Sequence, residues 1–438
     1  MSEKENNENG IYDARQLGLP KMLLLGLQHT FAMFGATILV PLLTGLNVST
    51  TLLMAGLGTL IFHILTKGKV PAFLGSSFAF LGGYASVAPM LADGSPNVEM
   101  LPYACGGVFV AGLVYVIMAG FIKYFGVEKV MSFFPPVVTG PIIISIGLIL
   151  APTAINSCKT NWPVALVAIL TIIIFNIWGK GMLKIIPIVL GVVASYIVAI
   201  FMNEINFTAI ATKPWIGIPP IQIMKFDISA IITITPIALA TMIEHIGDIT
   251  AIGATTKQNY IKDPGLHRTL LGDGIATSIA SIFGGPANTT YGENTGVLAL
   301  TKIYDPAVVR IAAVFAIILS FIPKVSFLIE TIPPATIGGI SFILYGMISA
   351  IGIRNVVENK VDFTKSRNTI IAALILVCAL GFNFSGGINI TIKGVQISLS
   401  GIAIAAIVGI VANAILPGKD YRLEEKDGTK KQYQTFKI

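Results

Sequence analysis

The chain has 438 residues, of which 54% are hydrophobic and 12% are charged, and its formal net charge is +7 at pH 7. Soluble domains use charged residues at roughly 25% of positions, so this composition excludes an ordinary water-soluble fold and indicates a polytopic membrane protein. The three cysteines, Cys105, Cys158 and Cys378, are far apart in the sequence and lack the spacing of a metal site. They are therefore predicted to be packing residues.

The N-terminal segment, residues 1–21, is polar and lacks the basic and apolar regions of a secretory signal. From residue 22 onward the chain is a series of apolar segments, and the longer ones approach the roughly 20 residues that a helix needs to cross a bilayer. This pattern predicts an all-α fold. Fourteen spans are predicted, at residues 22–44, 50–66, 72–82, 103–122, 134–153, 162–178, 185–202, 229–250, 269–284, 290–301, 307–322, 337–353, 368–383 and 399–416.

The distribution of basic residues predicts the orientation of these spans. With the N-terminus inside, the outer segments carry five of the 29 Lys and Arg residues and the cytoplasmic segments carry the other 24. This bias follows the positive-inside rule, so we predict a multi-pass protein of the cell membrane with both termini cytoplasmic, including a solvated tail at residues 417–438. The excess of basic residues then reflects topology, and we expect the lipid bilayer, and no nucleic acid, as a partner.

Two of the spans, those that follow Pro71 and Asn288, are short and polar. Backbone that is not helical at membrane depth is stable only where protein or a water-filled cavity covers it. Each is therefore predicted to be an extended stretch that leads into a half-helix, with the two meeting near the membrane centre. Each also follows a histidine-bearing segment at a similar distance, 42 residues from His29 to Pro71 and 41 residues from His245 to Pro286.

Matching interruptions in two halves of a chain are typical of transporters built from inverted repeats. Seven predicted spans, at residues 22–202, precede the polar linker 203–228, and seven follow it at residues 229–416. An odd number of spans per half gives the two halves opposite topologies. The sequence thus predicts a seven-plus-seven inverted repeat whose two breaks lie at the transport site.

Ionisable side chains inside spans are the strongest candidates for that site. One apolar span contains, within a stretch of five residues, Glu244, His245 and Asp248. Glu244 and Asp248 share one helix face. Each charged group at the centre of a membrane helix costs about 2.5–3.5 kcal/mol on insertion scales. Such a cluster favours a functional role over packing.

The two predicted breaks supply the remaining candidates. At the second break Glu293 follows Tyr291 and Gly292, and a helix N-terminus there would offer backbone amide donors together with the carboxylate. At the first break Ser77 precedes Phe78, whose aromatic ring is suited to stacking on a planar ligand. The two breaks therefore predict a pocket for a small planar molecule with both donors and acceptors.

Other polar residues in spans are assigned structural roles. His29, next to Gln28 in the first span, is expected to form hydrogen bonds to the broken segments, because a buried imidazole that finds partners is the common outcome. His63 and Asp273 are also taken as structural. The chain lacks a G-x-x-x-x-G-K-[ST] phosphate-binding loop. We therefore expect no cofactor or metal, and coupling to an ion gradient in place of ATP.

Four segments identify a family resemblance. Glu293–Lys302 fits the signature of the nucleobase/ascorbate transporters, and Gln28-His29 matches their first-span motif. Phe31–Thr37 and Leu74–Phe78 have the forms typical of the bacterial uracil permease branch. The chain resembles this family over nearly its whole length, and the resemblance implies a core domain of spans 1–4 and 8–11, a gate domain of spans 5–7 and 12–14, and a homodimer formed through the gate domain.

The resemblance also implies roles for individual residues. Glu244 and Glu293 would accept hydrogen bonds from the ring N–H groups of uracil, and the backbone amides of Phe78 and Gly292 would donate to its carbonyl oxygens. The Ala36 region would line the pocket. The residues at the edge of this implied site are Ser77 and Tyr291 beside the breaks, with Gln28, His29 and Asn294 in support.

The expected function is uracil import by proton symport through alternating access, with Glu244, His245, Asp248 and Glu293 as candidates for proton coupling. Some uracil permeases have a second histidine where this chain has Asp248. Na⁺ remains open as the coupling ion, and a xanthine, urate or ascorbate carrier remains open within the fold. An anion transporter of the same architecture is disfavoured by two carboxylates at the site. An enzyme is not expected, because the chain offers no nucleophile–base pair or metal cluster beyond these acids.

Overall fold

The computed structural model describes residues 10–91, 95–205, 207, 213–392 and 395–418. The predicted tail beyond residue 418 and the first nine residues lie outside this range. The described chain is mostly helical. The α-helices are α1 (Leu19–Thr44), α2 (Val48–Leu65), α3 (Leu81–Val87), α4 (Leu101–Phe125), α5 (Val127–Met131), α6 (Pro136–Cys158), α7 (Trp162–Trp178), α8 (Pro187–Phe201), α9 (Ile228–Ile234), α10 (Ile237–Thr256), α11 (Leu266–Ile282), α12 (Gly292–Thr301), α13 (Pro306–Ser320), α14 (Pro323–Glu330), α15 (Pro334–Glu358), α16 (Ser366–Phe384) and α17 (Gly401–Ile415).

Among the described residues, seven helical segments are long and apolar enough to cross a membrane, and the bent pair α13–α14 would make an eighth. The seven are α1, α2, α4, α6, α15, α16 and the continuous segment α9–α10. Shorter apolar helices of 10–17 residues include α7, α8, α17 and Phe78–Val87. The chain is therefore a multi-pass membrane protein.

Prolines shape the local structure of two predicted spans. Residues 229–250 lie in one apolar segment, Ile228–Thr256, as predicted, and α9 and α10 meet in it at Pro236, because proline lacks the N–H that would continue the helical hydrogen bonds. Residues 307–322 correspond to α13, and α14 then bends away from it by 84°. Pro323 stands at the first position of α14, where its fixed φ angle favours a helix start.

Side-chain caps define several other helix starts. The Asn47 side chain accepts a hydrogen bond from Thr50 N at α2, and Asp227 accepts one from Ala230 N at α9. Asp305 caps α13 through Ala307 N at 2.8 Å. Each cap satisfies a backbone donor that the first helical turn leaves without a partner.

The helices pack in two groups. In the first group, α11 packs against α2 and α4, and α13 packs against α1 and α2. In the second group, α15 packs against α6 and α7, and α16 packs against α6 and α17. The groups meet where α1 contacts α8 and where α10 contacts α6 and α17. Helix α10 therefore belongs to the boundary between the two groups.

Glycines permit close helix contact inside each group. A Cβ atom on Gly112 of α4 would lie 2.7 Å from the Gly274 carbonyl oxygen of α11, and one on Gly274 would lie 2.7 Å from the Gly112 carbonyl oxygen. In the second group, a Cβ on Gly147 of α6 would overlap the Tyr345 carbonyl oxygen of α15. Small residues of this kind allow membrane helices to approach closely.

Two short strands pair with each other at the centre of the first group. Strand β1 (Leu74–Ser76) pairs antiparallel with β2 (Asn288–Thr290), with Gly75 opposite Thr289. Strand β1 leads through a 3₁₀ turn into α3, and β2 leads directly into α12. An extended stretch followed by a short helix is what the sequence predicts at each break.

Neighbouring helices satisfy the backbone of these strands. Leu74 N donates to the Thr59 hydroxyl at 2.9 Å, and the Thr277 hydroxyl donates to the Asn288 carbonyl oxygen at 2.9 Å. His63 Nε2 donates to the Ala72 carbonyl oxygen at 2.9 Å, consistent with its predicted structural role. These bonds explain how non-helical backbone is held inside the helix bundle. A separate hairpin, β3 (Ile388–Ile392) with β4 (Val395–Leu399), precedes α17.

Candidate functional site

Helix α10 presents its acidic residues beside the start of α12. Glu244 and Asp248 are both half-buried, one helical turn apart, while Gly247 and Gly292 are exposed. A Cβ atom placed on Gly292 would have Asp248 Oδ1 at 3.5 Å, and no other described atom within 4 Å apart from its chain neighbours. The acidic face of α10 therefore borders open space in front of the α12 N-terminus.

Thr290 joins the second strand to this face. Its hydroxyl donates to Asp248 Oδ2 at 2.9 Å and lies 3.5 Å from His245 Nδ1. The residue is buried and ends β2, two positions before α12 begins. This contact fixes the position of the half-helix relative to α10. Sequence reasoning placed Thr290 next to the break but gave it no role.

His245 points away from the open space and into the first helix group. Its Nδ1 lies 3.0 Å from Oδ2 of Asp273 on α11, and both side chains are fully buried. The ring edge of Phe62 packs against the imidazole, with the ring centroids 6.3 Å apart. Asp273 was predicted to be merely structural, and its partner was not predicted. The available signal was an acidic residue in the apolar predicted span 269–284.

Tyr291 connects the two breaks. Its hydroxyl donates to the Ser76 carbonyl oxygen at 2.9 Å, and the Thr37 hydroxyl lies 3.4 Å away. The ring lies against Gly75, where a Cβ atom would be 2.4 Å from the ring edge. Only 3% of Tyr291 is exposed. The side chain is therefore part of the link between β1 and the α12 start.

A further polar contact joins α1 to α12. The Asn294 side-chain amide donates to His29 Nδ1 at 3.0 Å and to the His29 carbonyl oxygen at 3.2 Å. Both residues are buried, and the preceding Gln28 is half-buried. This arrangement is the kind of hydrogen bonding to a broken segment that the sequence predicts for His29. It orients the first turn of α12.

The other predicted site residues surround the same region. Ser77 and Ala36 are buried, and Phe78 is half-buried at the start of the 3₁₀ turn after β1. Glu293 belongs to the first turn of α12 by its backbone, but its side chain lies outside the part of the chain that the structure describes. Within the described residues, no group of three or more His, Cys, Asp or Glu side chains could hold a metal ion.

The sequence is similar to several proteins named as permeases of uracil or pyrimidines. It is 41% identical to the uracil permease of Bacillus subtilis (strain 168) over 426 residues, covering 93% of this chain and 94% of that protein. The uracil permease of Escherichia coli (strain K12) is 37% identical, with 88% and 89% covered. The "Putative pyrimidine permease RutG" of the same strain is 36% identical, with 92% and 91% covered.

Solved structures share the fold at low sequence identity. The transmembrane domain of the cyanobacterial bicarbonate transporter BicA has a TM-score of 0.59 at 17% identity, covering 92% of this chain and 99% of that one. SLC26A9 has a TM-score of 0.64 at 13% identity, with 91% and 65% covered. The model of the Permease family, Xan_ur_permease, matches residues 20–387. The resemblance found in the sequence is thereby confirmed, and the chain belongs to this permease family.

Proposed function

We propose that this chain imports uracil across the cell membrane by proton symport. The observation that carries the proposal is the attachment of the α12 start to the acidic face of α10, through Thr290 and Asp248 at 2.9 Å. This places helix-terminal amides beside carboxylates, as a planar ligand with donors and acceptors requires. The relatives named uracil permease, at 37–41% identity over most of the chain, support the choice of substrate.

Uracil alternates two ring N–H donors with two carbonyl acceptors. In the proposed site Glu244 and Glu293 accept from the N–H groups, and the backbone amides of Phe78 and Gly292 donate to the carbonyl oxygens. The Phe78 ring stacks on the substrate, and Ala36 lines the pocket, with Ser77 and Tyr291 at its edge. A site that pairs with every polar group of uracil rejects an analogue that leaves a polar group of the site unpaired.

Transport is proposed to occur by alternating access between a core domain (spans 1–4 and 8–11) and a gate domain (spans 5–7 and 12–14). The separate packing of the two helix groups supports this division. The first group consists of helices from core-domain spans (α1, α2, α4, α11 and α13), and the second of helices from gate-domain spans (α6, α7, α15, α16 and α17). Fourteen spans in two inverted halves, both termini in the cytoplasm and a homodimer through the gate domain complete the proposed architecture.

Proton coupling is assigned to Glu244, Asp248, His245 and Glu293. The short path from Asp248 through Thr290 to His245 supports this group, since the Thr290 hydroxyl lies 2.9 Å from Asp248 Oδ2 and 3.5 Å from His245 Nδ1. One proton moving down about 150 mV releases roughly 3.4 kcal/mol. At about 1.4 kcal/mol per factor of ten, that energy supports accumulation of a few hundred-fold.

Counterflow tests the substrate without any ion gradient. Proteoliposomes loaded with unlabelled uracil should take up radiolabelled uracil, and thymine, xanthine, urate, ascorbate or bicarbonate should compete less effectively than uracil. Xanthine as the stronger competitor would assign a purine carrier. Absence of counterflow in vesicles that contain folded protein would overturn the proposal. The acidic face of α10 is the reason that bicarbonate is expected to compete least.

A further inference from the structure

An apolar cavity of about 500 Å³ is lined by none of the residues of the proposed uracil site. We call it the linker groove, because α5, which connects α4 to α6, forms one of its walls. The groove is bounded by both helix groups, with α4 and α10 on one side and α17 on the other. Side chains that define it are Phe121, Phe125, Lys129, Phe133, Leu239 and Ile410.

The chemistry of the linker groove is that of an amphiphile site. Within the described residues, every side chain that lines it is apolar except Lys129. The Lys129 ammonium lies 5.5 Å from the centroid of the Phe125 ring, so its charge is held at the aromatic edge of the groove. Phe121, Phe125 and Phe133 are each about half exposed. The volume falls in the range of roughly 300–1,000 Å³ found for small-molecule sites.

Uracil does not suit this environment, because its four polar groups would lose their hydrogen bonds in an apolar groove. A phospholipid does suit it, since one acyl chain covers the aromatic and aliphatic walls while the phosphate meets the cation. In the proposed orientation Lys129 lies at the cytoplasmic surface, where anionic lipids attract basic side chains. Exposed Lys123 adds positive charge to α4, and exposed Glu128 opposes it.

We propose that the linker groove binds an anionic phospholipid, with its phosphate on Lys129 and an acyl chain between Leu239 and Ile410. The lipid contacts α10, which carries Glu244, and α17 of the opposite helix group. A narrower pocket shares walls with the groove and continues along α10 past Ile243 and Ile246. A bound lipid therefore bridges the two groups beside α5, one of their covalent connections, and its presence sets the ease with which they move relative to each other.

Photolabelling tests this binding independently of transport. Purified protein in nanodiscs is exposed to phosphatidylglycerol that carries a photoreactive acyl chain, and labelled peptides are mapped by mass spectrometry. We expect label on the peptide that contains Leu239 and on the peptide that contains Ile410. Lys129→Gln should reduce this labelling about fivefold, the preference that one cation at the surface provides. Lys180→Gln, a change at an exposed lysine outside the groove, should leave it unchanged.

A second variant separates the apolar contact from the charge. Ile410→Trp fills the groove and should reduce labelling by both phosphatidylglycerol and phosphatidylcholine probes, whereas Lys129→Gln should affect only the anionic probe. Elution as a single peak and unchanged thermal stability in detergent establish that the variants are folded. Equal labelling of all four proteins, or label confined to peptides outside the groove, would overturn the proposal even if uracil transport is established.

Discussion

The hydroxyl of Thr290, at the end of β2, donates a 2.9 Å hydrogen bond to Oδ2 of Asp248 on α10. This bond ties the broken segment that precedes α12 to the helix that carries Glu244. The position of the α12 N-terminus therefore depends on a side-chain contact as well as on the strand pair. In the proposed mechanism, a proton that binds to Asp248 converts the carboxylate that accepts this bond into a neutral carboxyl group.

Thr290→Val removes the donor and keeps the shape of the side chain. A hydrogen bond to a charged group contributes about 1.5–3 kcal/mol, so we expect the apparent affinity for uracil to fall roughly tenfold or more. Thr290→Ser keeps the hydroxyl and should retain most of the affinity. Equilibrium binding of radiolabelled uracil to the purified variants measures the difference. Equal affinity of the Val and Ser variants would show that the bond has no role in the site.

Asp273→Ala breaks the fully buried contact with His245, whose atoms lie 3.0 Å apart. Leaving a buried polar group without its partner costs about 1–3 kcal/mol, so we expect a clear loss of thermal stability in detergent. Glu358→Ala serves as the control, because the Arg354–Glu358 pair is mostly exposed and at 3.5 Å. Exposed pairs contribute about 0–1 kcal/mol. Equal melting temperatures for the two variants would contradict a stabilising role for the contact between His245 and Asp273.

Gly75→Ala tests the contact between the two breaks. A Cβ atom at this position would lie 2.4 Å from the Tyr291 ring, so the ring must move and its hydrogen bond to Ser76 must break. Leaving a buried polar group without its partner costs about 1–3 kcal/mol. We expect lower stability and at least tenfold slower uracil uptake.

Gly82→Ala is the matched change, since no described atom lies within 4 Å of the Cβ position beyond its own chain neighbours and helix backbone. This variant should transport normally. Normal transport by Gly75→Ala as well would show that the Tyr291 position is not needed.

Glu244→Gln and Glu293→Gln remove the two proposed acceptors while preserving side-chain size. Both variants should lose uracil uptake and remain in the membrane at normal levels, because neither change adds a charge or removes an apolar side chain. Glu99→Gln, at an exposed position, is the control for removing a carboxylate. Membrane levels are measured by immunoblot and uptake with radiolabelled uracil. Uptake at the control rate by both variants would refute the assigned roles.

The sequence predicts the acidic helix and the two breaks because these features are local. Glu244 and Asp248 share a face through helix periodicity alone, and short polar stretches in apolar surroundings reveal non-helical backbone. The pairing of His245 with Asp273 depends instead on the packing of α10 near α11, which residue spacing does not specify. The contact of Thr290 with Asp248 is equally non-local, since 42 residues separate them.

Helix ends, too, are predicted from the sequence only where a local feature marks them. The starts of α6 at Pro136 and α15 at Pro334 lie within three residues of the predicted span starts, because the effect of proline on the backbone is local. Residues 229–250 lie in one continuous apolar segment, Ile228–Thr256, as predicted. The bend of 84° between α13 and α14 was missed, because the predicted span 307–322 ends before α14 begins and residue spacing does not specify the direction in which one helix leaves another.

Proton symport is tested by radiolabelled uracil uptake into proteoliposomes under an imposed inward proton gradient. We expect accumulation above the external concentration that a protonophore abolishes and that a sodium gradient alone does not produce. Accumulation driven only by sodium, or uptake that never exceeds equilibration under a proton gradient, would contradict proton symport.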